Sequence, residues 1–167
     1  MSDPMRVRVT GAGSGVGQGV MKALRASTLP VRVVAADIGP FNAGLYRGEE
    51  AVLIPRVEDA GALDGMIEAI NRAGVRAVLI GSEFDVEFFA IHREDIESRT
   101  GATVVVSPVE TVRIADDKWL TAEFLRERGL SAPRSAIPSE GESAADLAAE
   151  WGFPVIVKAR SDQGNRP

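Results

Sequence analysis

A doubly wound parallel α/β sheet, followed by the start of a second, α+β unit, is the fold this 167-residue sequence predicts. Three observations carry that reading: five short β-branched runs, helical periodicity between them, and glycines where the helical patterns stop. The runs are Val7 to Thr10, Val31 to Asp37, Ala51 to Ile54, Ala77 to Gly81 and Thr103 to Ser107. Each is too short and too apolar for a surface helix and reads as a strand buried on both faces. Between them, Val16, Val20 and Leu24 recur at spacing four, and Leu63, Met66, Ile67 and Ile70 at three and four. Phe88, Phe89, Ile91 and Ile96 mark a third helical segment. Gly74, Gly101, Gly129 and Gly152 follow helical patterns where a left-handed terminating residue belongs. Strand, crossover helix and parallel strand in repetition wind a sheet with helices on both faces.

A boundary falls near Ser107-Pro108. Beyond it, Lys118 to Arg128 reads as a helix, Arg134 to Ile137 as a short strand, Ser143 to Trp151 as a helix and Pro154 to Lys158 as a final strand. Ser143 with Asp146 three residues on predicts an N-terminal cap. Trp119 and Trp151 are expected as core anchors, and Arg93, Glu94 and Asp95 as a solvated helix face. Pro138-Ser139-Glu140-Gly141-Glu142 is the loosest connection. The pattern stops nine residues past Lys158, so this second domain is expected to be unfinished.

Composition narrows the function. The apolar content of 45% and charged content of 26% are those of a globular domain. A net charge of -5 without a basic stripe argues against nucleic acid as a partner. The chain has no cysteine, which excludes disulfides and thiolate chemistry, and His92 stands alone, so no histidine-rich metal site is expected. No run has signal-peptide or membrane-span character, and a cytoplasmic location is expected.

Glycines 11, 13, 15, 17 and 19 miss the dinucleotide fingerprint G-x-G-x-x-G, because Val16 and Gln18 stand where glycine would be needed. They do fit Thr-Gly-x-x-x-Gly-x-Gly, the pattern of short-chain dehydrogenases, with Asp37 where a ribose hydroxyl would be held. That family pairs a tyrosine with a lysine four residues later, whereas Tyr46, the only tyrosine, is followed there by Glu50. The simpler reading is a tight strand-to-helix turn with close helix packing, which needs residues without Cβ. Glu83 and Asp85, after the fourth strand, read equally as a helix N-terminal turn or as part of a cleft.

Of the 19 basic residues only Lys22, Lys118 and Lys158 are lysine, and the other sixteen are arginine. A compact ammonium suits a phosphate oxygen as a point charge, and an arginine fork is no simple replacement. Asp117-Lys118, Thr121, Leu125, Gly129, Pro133 and Gly152-Phe153-Pro154-Val155-Ile156-Val157-Lys158-Ala159-Arg160 resemble the start of the ATP-grasp domain of carboxylate-amine and carboxylate-thiol ligases. Upstream, the glycine run, Ala36-Asp37, Ala43-Gly44-Leu45-Tyr46, Gly81-Ser82-Glu83 and Ile114-Ala115-Asp116-Asp117-Lys118 are similar to the large chain of carbamoyl-phosphate synthase and its stand-alone relatives.

That resemblance implies a Rossmann-like pre-ATP-grasp domain over 1–113 and the beginning of an ATP-grasp domain over 114–167. It implies phosphoryl transfer from ATP to a small carboxylate, with the acyl phosphate then attacked by an amine or other nucleophile. Lys118, Lys158 and Arg160 would bind ATP, while Gly13, Ser14, Gly15, Ser82 and Glu83 would face a substrate cleft toward the neighbouring domain. Magnesium ligands, the adenine hinge and the catalytic residues are expected beyond residue 167, and a homodimer is compatible with the family. The loop after Lys158 departs from the family pattern: Ser161-Asp162-Gln163-Gly164-Asn165-Arg166 carries one glycine where several are usual, and Asp162 would repel phosphate. A non-catalytic α/β binding or assembly module is the alternative reading, and an NAD(P)-dependent dehydrogenase the third.

Overall fold

The computed structural model describes residues 3–139 and 142–161. The chain divides into two compact units, 1–109 and 110–167. In the first, β1 (Met5–Val9), α1 (Gly15–Ala26), β2 (Val31–Asp37) and β3 (Glu50–Leu53) are followed by α2 (Ala62–Arg72), β4 (Ala77–Leu79), α3 (Glu83–Ile91), α4 (Arg93–Thr100) and β5 (Thr103–Val105). A single 3₁₀ turn, Leu45–Arg47, precedes β3. All four strand pairings are parallel, in the order β3-β2-β1-β4-β5. The chain builds β1, β2 and β3 outward in one direction and then returns to lay β4 on the other side of β1. The carboxyl ends of β1 and β4 therefore flank the topological switch point, the usual ligand position in open α/β sheets.

Alternation along β2 shows why the strands read as unbroken apolar runs. Val33 and Ala35 join Val9, Ala12, Met21 and Leu45 on one face, while Val34 and Ala36 join Val78, Met66, Ile67, Ile70, Phe89 and Ile96 on the other. Both faces are covered, so neither set of side chains reaches water.

The strand ends differ from expectation by one or two residues. β4 stops at Leu79 because the Gly81 amide turns away to donate to Thr10 Oγ1 at 3.3 Å. The Val16, Val20, Leu24 stripe is rotated in α1: Val16 is 64% exposed, and Gly17 and Met21 are buried. The rotation follows from packing, since a Cβ at Gly17 would lie 2.2 Å from the Gly11 carbonyl oxygen. The segment from Phe88 to Ile96 is two helices, α3 and α4, meeting at His92. Glu94 and Asp95 are solvated as expected, whereas Arg93 is half-buried and pairs with Glu97. Gly74, Gly101 and Gly129 have the anticipated left-handed φ of 59°, 68° and 66°, and Gly152 has φ 86° with an extended ψ of 159°.

Arg8, which the sequence reading passed over, is the outlier of this unit. It is 0% exposed on β1, in register with Val34 and Val78 and so facing the α2 side of the sheet. Its Nε, Nη1 and Nη2 have no hydrogen-bond acceptor among the described residues. Burial, followed by the nearby charge of Arg72, lowers its pKa to about 10.

In the second unit α5 (Val109–Asp116), a helix the sequence reading missed, leads into α6 (Lys118–Glu127) and later α7 (Ala144–Trp151). Ser143 and Asp146 form the anticipated capping box. The two expected strands, 134–137 and 154–158, are not strands: neither has a hydrogen-bonded neighbour strand among the described residues, and Ile156 and Val157 are 80% and 73% exposed. A strand exists only as a member of a ladder, so β-branched composition alone could not make one here. The expected cover loop lies, from Asp162 on, outside the described residues, as do Glu140 and Gly141 of the loose connection.

Candidate functional site

The second unit carries a cleft of about 690 Å³ whose lining includes Lys118, Lys158 and Arg160 together with Trp119, Trp151 and Leu125. Residues 40 positions apart meet there because the start of α6 is tied to the segment that ends at Arg160. Asp117 caps α6, its Oδ1 accepting from the Trp119 amide at 2.8 Å and the Leu120 amide at 3.1 Å. Its Oδ2 accepts from Arg160 Nη2 at 2.5 Å, with Nε 3.4 Å from Oδ1. The Lys118 amide closes the junction by donating to the Arg160 carbonyl at 2.8 Å. The Arg160 hydrogen bond, aided by the Leu120 and Trp119 amides and opposed by desolvation, holds the Asp117 carboxyl below the usual carboxylate range. The Thr121 hydroxyl donates to the Ile114 carbonyl at 2.6 Å, tying α6 to α5 across the junction at Asp117.

Trp119 and Trp151 are not core anchors. Both are half-buried, because Val112 and Ala148 are the only buried hydrophobic side chains of this unit among the described residues. Their rings line the cleft and are partly covered by cations instead. Arg126 lies 5.4 Å from the Trp119 ring centre and Arg134 4.3 Å from that of Trp151. Arg134 is held in place by Glu150 at 2.8 Å.

The glycine-rich turn of the first unit is filled by its own groups. Ser14 Oγ donates to the Gly81 carbonyl at 2.6 Å and accepts from the Gly17 amide at 2.9 Å. The Gly13 amide donates to Asp37 Oδ2 at 2.8 Å, and the Gly39 amide to Oδ1 at 3.3 Å. A carboxylate thus sits on the Gly13 amide, where it disfavours a second anion. The Ser14 to Gly81 bond brings Gly13, Ser14 and Gly15 beside Ser82 and Glu83 at the switch point. Ser82 caps α3 without a side-chain hydrogen bond; Glu83 and Asp85 both lie in its first turn, Glu83 exposed and Asp85 buried. Tyr46 is exposed on the 3₁₀ turn, and Glu50 is committed to Arg6 and Arg32.

No protein-family model matches the chain. It is 32% identical over 128 residues to biotin carboxylase of Pseudomonas aeruginosa, a match covering 73% of this chain and 28% of that protein. It is 23% identical over 148 residues to the arginine-specific large chain of carbamoyl phosphate synthase from Cutaneotrichosporon cutaneum, covering 89% of this chain and 12% of that one. Its fold superposes on N5-carboxyaminoimidazole synthetase from Staphylococcus aureus, solved with ADP, at a TM-score of 0.64 and 15% identity, over 96% of this chain and 40% of that one. The chain is a homologue of the N-terminal part of ATP-grasp enzymes. It spans less than a third of the length of either of these two curated relatives.

This ATP-grasp homologue gathers cationic side chains on one cleft of its second unit. Lys118, Lys158, Arg134 and Arg160 lining one cleft, beside two indoles, form a donor set suited to polyphosphate and to a planar base. No group of three or more His, Cys, Asp or Glu side chains gathers among the described residues. No helix among those residues is long and apolar enough to cross a membrane. Sequence reasoning missed the double engagement of Asp117 and the Arg134 cover on Trp151. An aspartate immediately before a helix is a capping signal, which could have found the first half of Asp117's role.

Proposed function

We propose that the cleft of the second unit is the phosphate-binding part of an ATP site. The protein that carries it would be a ligase that activates a carboxylate as an acyl phosphate for attack by an amine or another nucleophile. The observation that supports this most is the convergence of Lys118, Lys158 and Arg160 on one cleft. In this reading residues 1–113 form the pre-ATP-grasp domain and 114–167 the first part of the ATP-grasp domain. The site residues divide accordingly. Lys118 and Lys158 hold the α and β phosphates, and Arg160 adds positive charge nearby. Gly13, Ser14, Gly15, Ser82 and Glu83 form the substrate-side surface at the switch point.

ATP, when bound, supplies the phosphoryl group: a carboxylate oxygen attacks the γ-phosphorus, ADP leaves, and the nucleophile later displaces phosphate from the acyl carbon. Such transfer depends on positioning and charge neutralisation, which is what the lysines provide.

Both tryptophans of the chain line the cleft, so their emission reports on it directly. Titration with ATP is expected to change that emission in the millimolar range, with no turnover by the 167-residue chain. In a protein that continues this chain to the length of its relatives, ATP hydrolysis is expected when the carboxylate is supplied. Absence of any ATP response would remove the proposal, and turnover by the chain alone would contradict the assignment of the catalytic groups to later residues.

The nicotinamide cofactors give the opposite expectation. With Asp37 on the Gly13 amide and no lysine four residues after Tyr46, calorimetry should detect no micromolar binding of NAD or NADP. Tight binding of either, abolished by Asp37→Ala, would restore the dehydrogenase reading.

A further inference from the structure

The charge on Asp117 is not needed for the helix it caps. One oxygen, Oδ1, satisfies both the Trp119 and Leu120 amides, and an asparagine or serine would cap α6 about as well. The second oxygen is left over, and it is the one that takes Arg160 Nη2 at 2.5 Å. A carboxylate at the edge of a cleft lined by Lys118, Arg134, Lys158 and Arg160 is electrostatically unfavourable for an anionic ligand unless it does something else there. It also lies next to Lys118 in the chain, and its partner Arg160 lies two residues after Lys158. One side chain therefore ties together the two backbone segments that carry Lys118, Lys158 and Arg160.

From this geometry, and resting on the ATP reading of the cleft, we infer that Asp117 is a positioning residue: it clamps Arg160 to the start of α6 and so sets the spacing of Lys118 and Lys158 for a polyphosphate. Asp117 does not touch the nucleotide. With Asp117 and Arg160 side chains 18% and 54% exposed, the pair contributes little to stability, and its effect is on geometry.

Simple charge and positioning predict opposite signs, which makes the test direct. ATP is titrated into the parent chain, Asp117→Asn, Asp117→Ser, Asp116→Asn and Lys118→Ala, with tryptophan emission as the readout. Removal of a negative charge alone should strengthen ATP binding. Loss of the clamp should instead raise Kd about fivefold in both Asp117 variants, as preorganisation is lost. Asp116→Asn removes the same charge one residue earlier and should leave Kd unchanged or lower it. The Arg160 Nε–Hε signal, assigned with Arg160→Lys, should lose its protection from exchange in Asp117→Asn and keep it in Asp116→Asn. If both Asp117 variants bind ATP as tightly as the parent while Lys118→Ala binds it worse, the inference is overturned and the ATP site stands. If Lys118→Ala also binds like the parent, the ATP site itself fails and the inference falls with it.

Discussion

Arg8→Met should stabilise the first unit by about 3 kcal/mol at pH 7, the free-energy equivalent of a guanidinium pKa lowered from its ordinary value to about 10. The side chain is fully buried on the central strand, and none of its three nitrogens meets an acceptor among the described residues. Methionine keeps the unbranched stem and removes the charge, the kind of replacement that stabilises when a buried ion lacks good partners. The pH dependence has a definite sign. Because the folded pKa is depressed, the cost is fully present below about pH 10. Above about pH 10 the folded protein releases the proton while the unfolded chain still keeps it, so the cost fades as pH rises. The gap in urea midpoint between variant and parent should therefore be wider at pH 7 than at about pH 11. A variant less stable than the parent would mean that the guanidinium has acceptors, such as buried water, that offset its desolvation.

Lys118→Ala and Lys158→Ala should each weaken ATP binding by about 1.5 to 3 kcal/mol, the usual cost of losing a charged hydrogen bond. Each residue brings a compact cation to the same cleft, one from the start of a helix and the other from an irregular segment. They share one ligand and one clamped junction, so their effects should not add in full. Neither substitution should lower stability appreciably, because both side chains are exposed. A fall in affinity with an unchanged unfolding midpoint separates a binding role from a structural one.

Much of this was legible in the sequence for specific reasons. The five strands could be read because a parallel sheet covered on both faces demands near-continuous apolar runs, and Val33-Val34-Ala35-Ala36 within Val31–Asp37 is one. That same coverage hid Arg8. In a half-exposed strand an arginine between Val7 and Val9 would face water, and only the helices packed over β1 leave it without any. The strands expected at 134–137 and 154–158 failed because pairing is non-local and composition cannot supply a partner. Val16 was misplaced by the close approach of Gly17 to Gly11, a backbone contact with no sequence period. At the candidate site, residue type and flanking motif pointed to Lys118, Lys158 and Arg160. The Asp117 clamp was not legible, because a 43-residue separation hides a contact that only the fold creates.

The most direct measurement is an ATP titration of the parent chain beside the Lys118→Ala/Lys158→Ala double variant, followed through Trp119 and Trp151. The parent should give a saturable change in emission in the millimolar range, and the double variant should give none over the same range. A double variant that responds as the parent does would mean that the two lysines are ordinary surface residues and that this cleft is not a phosphate site.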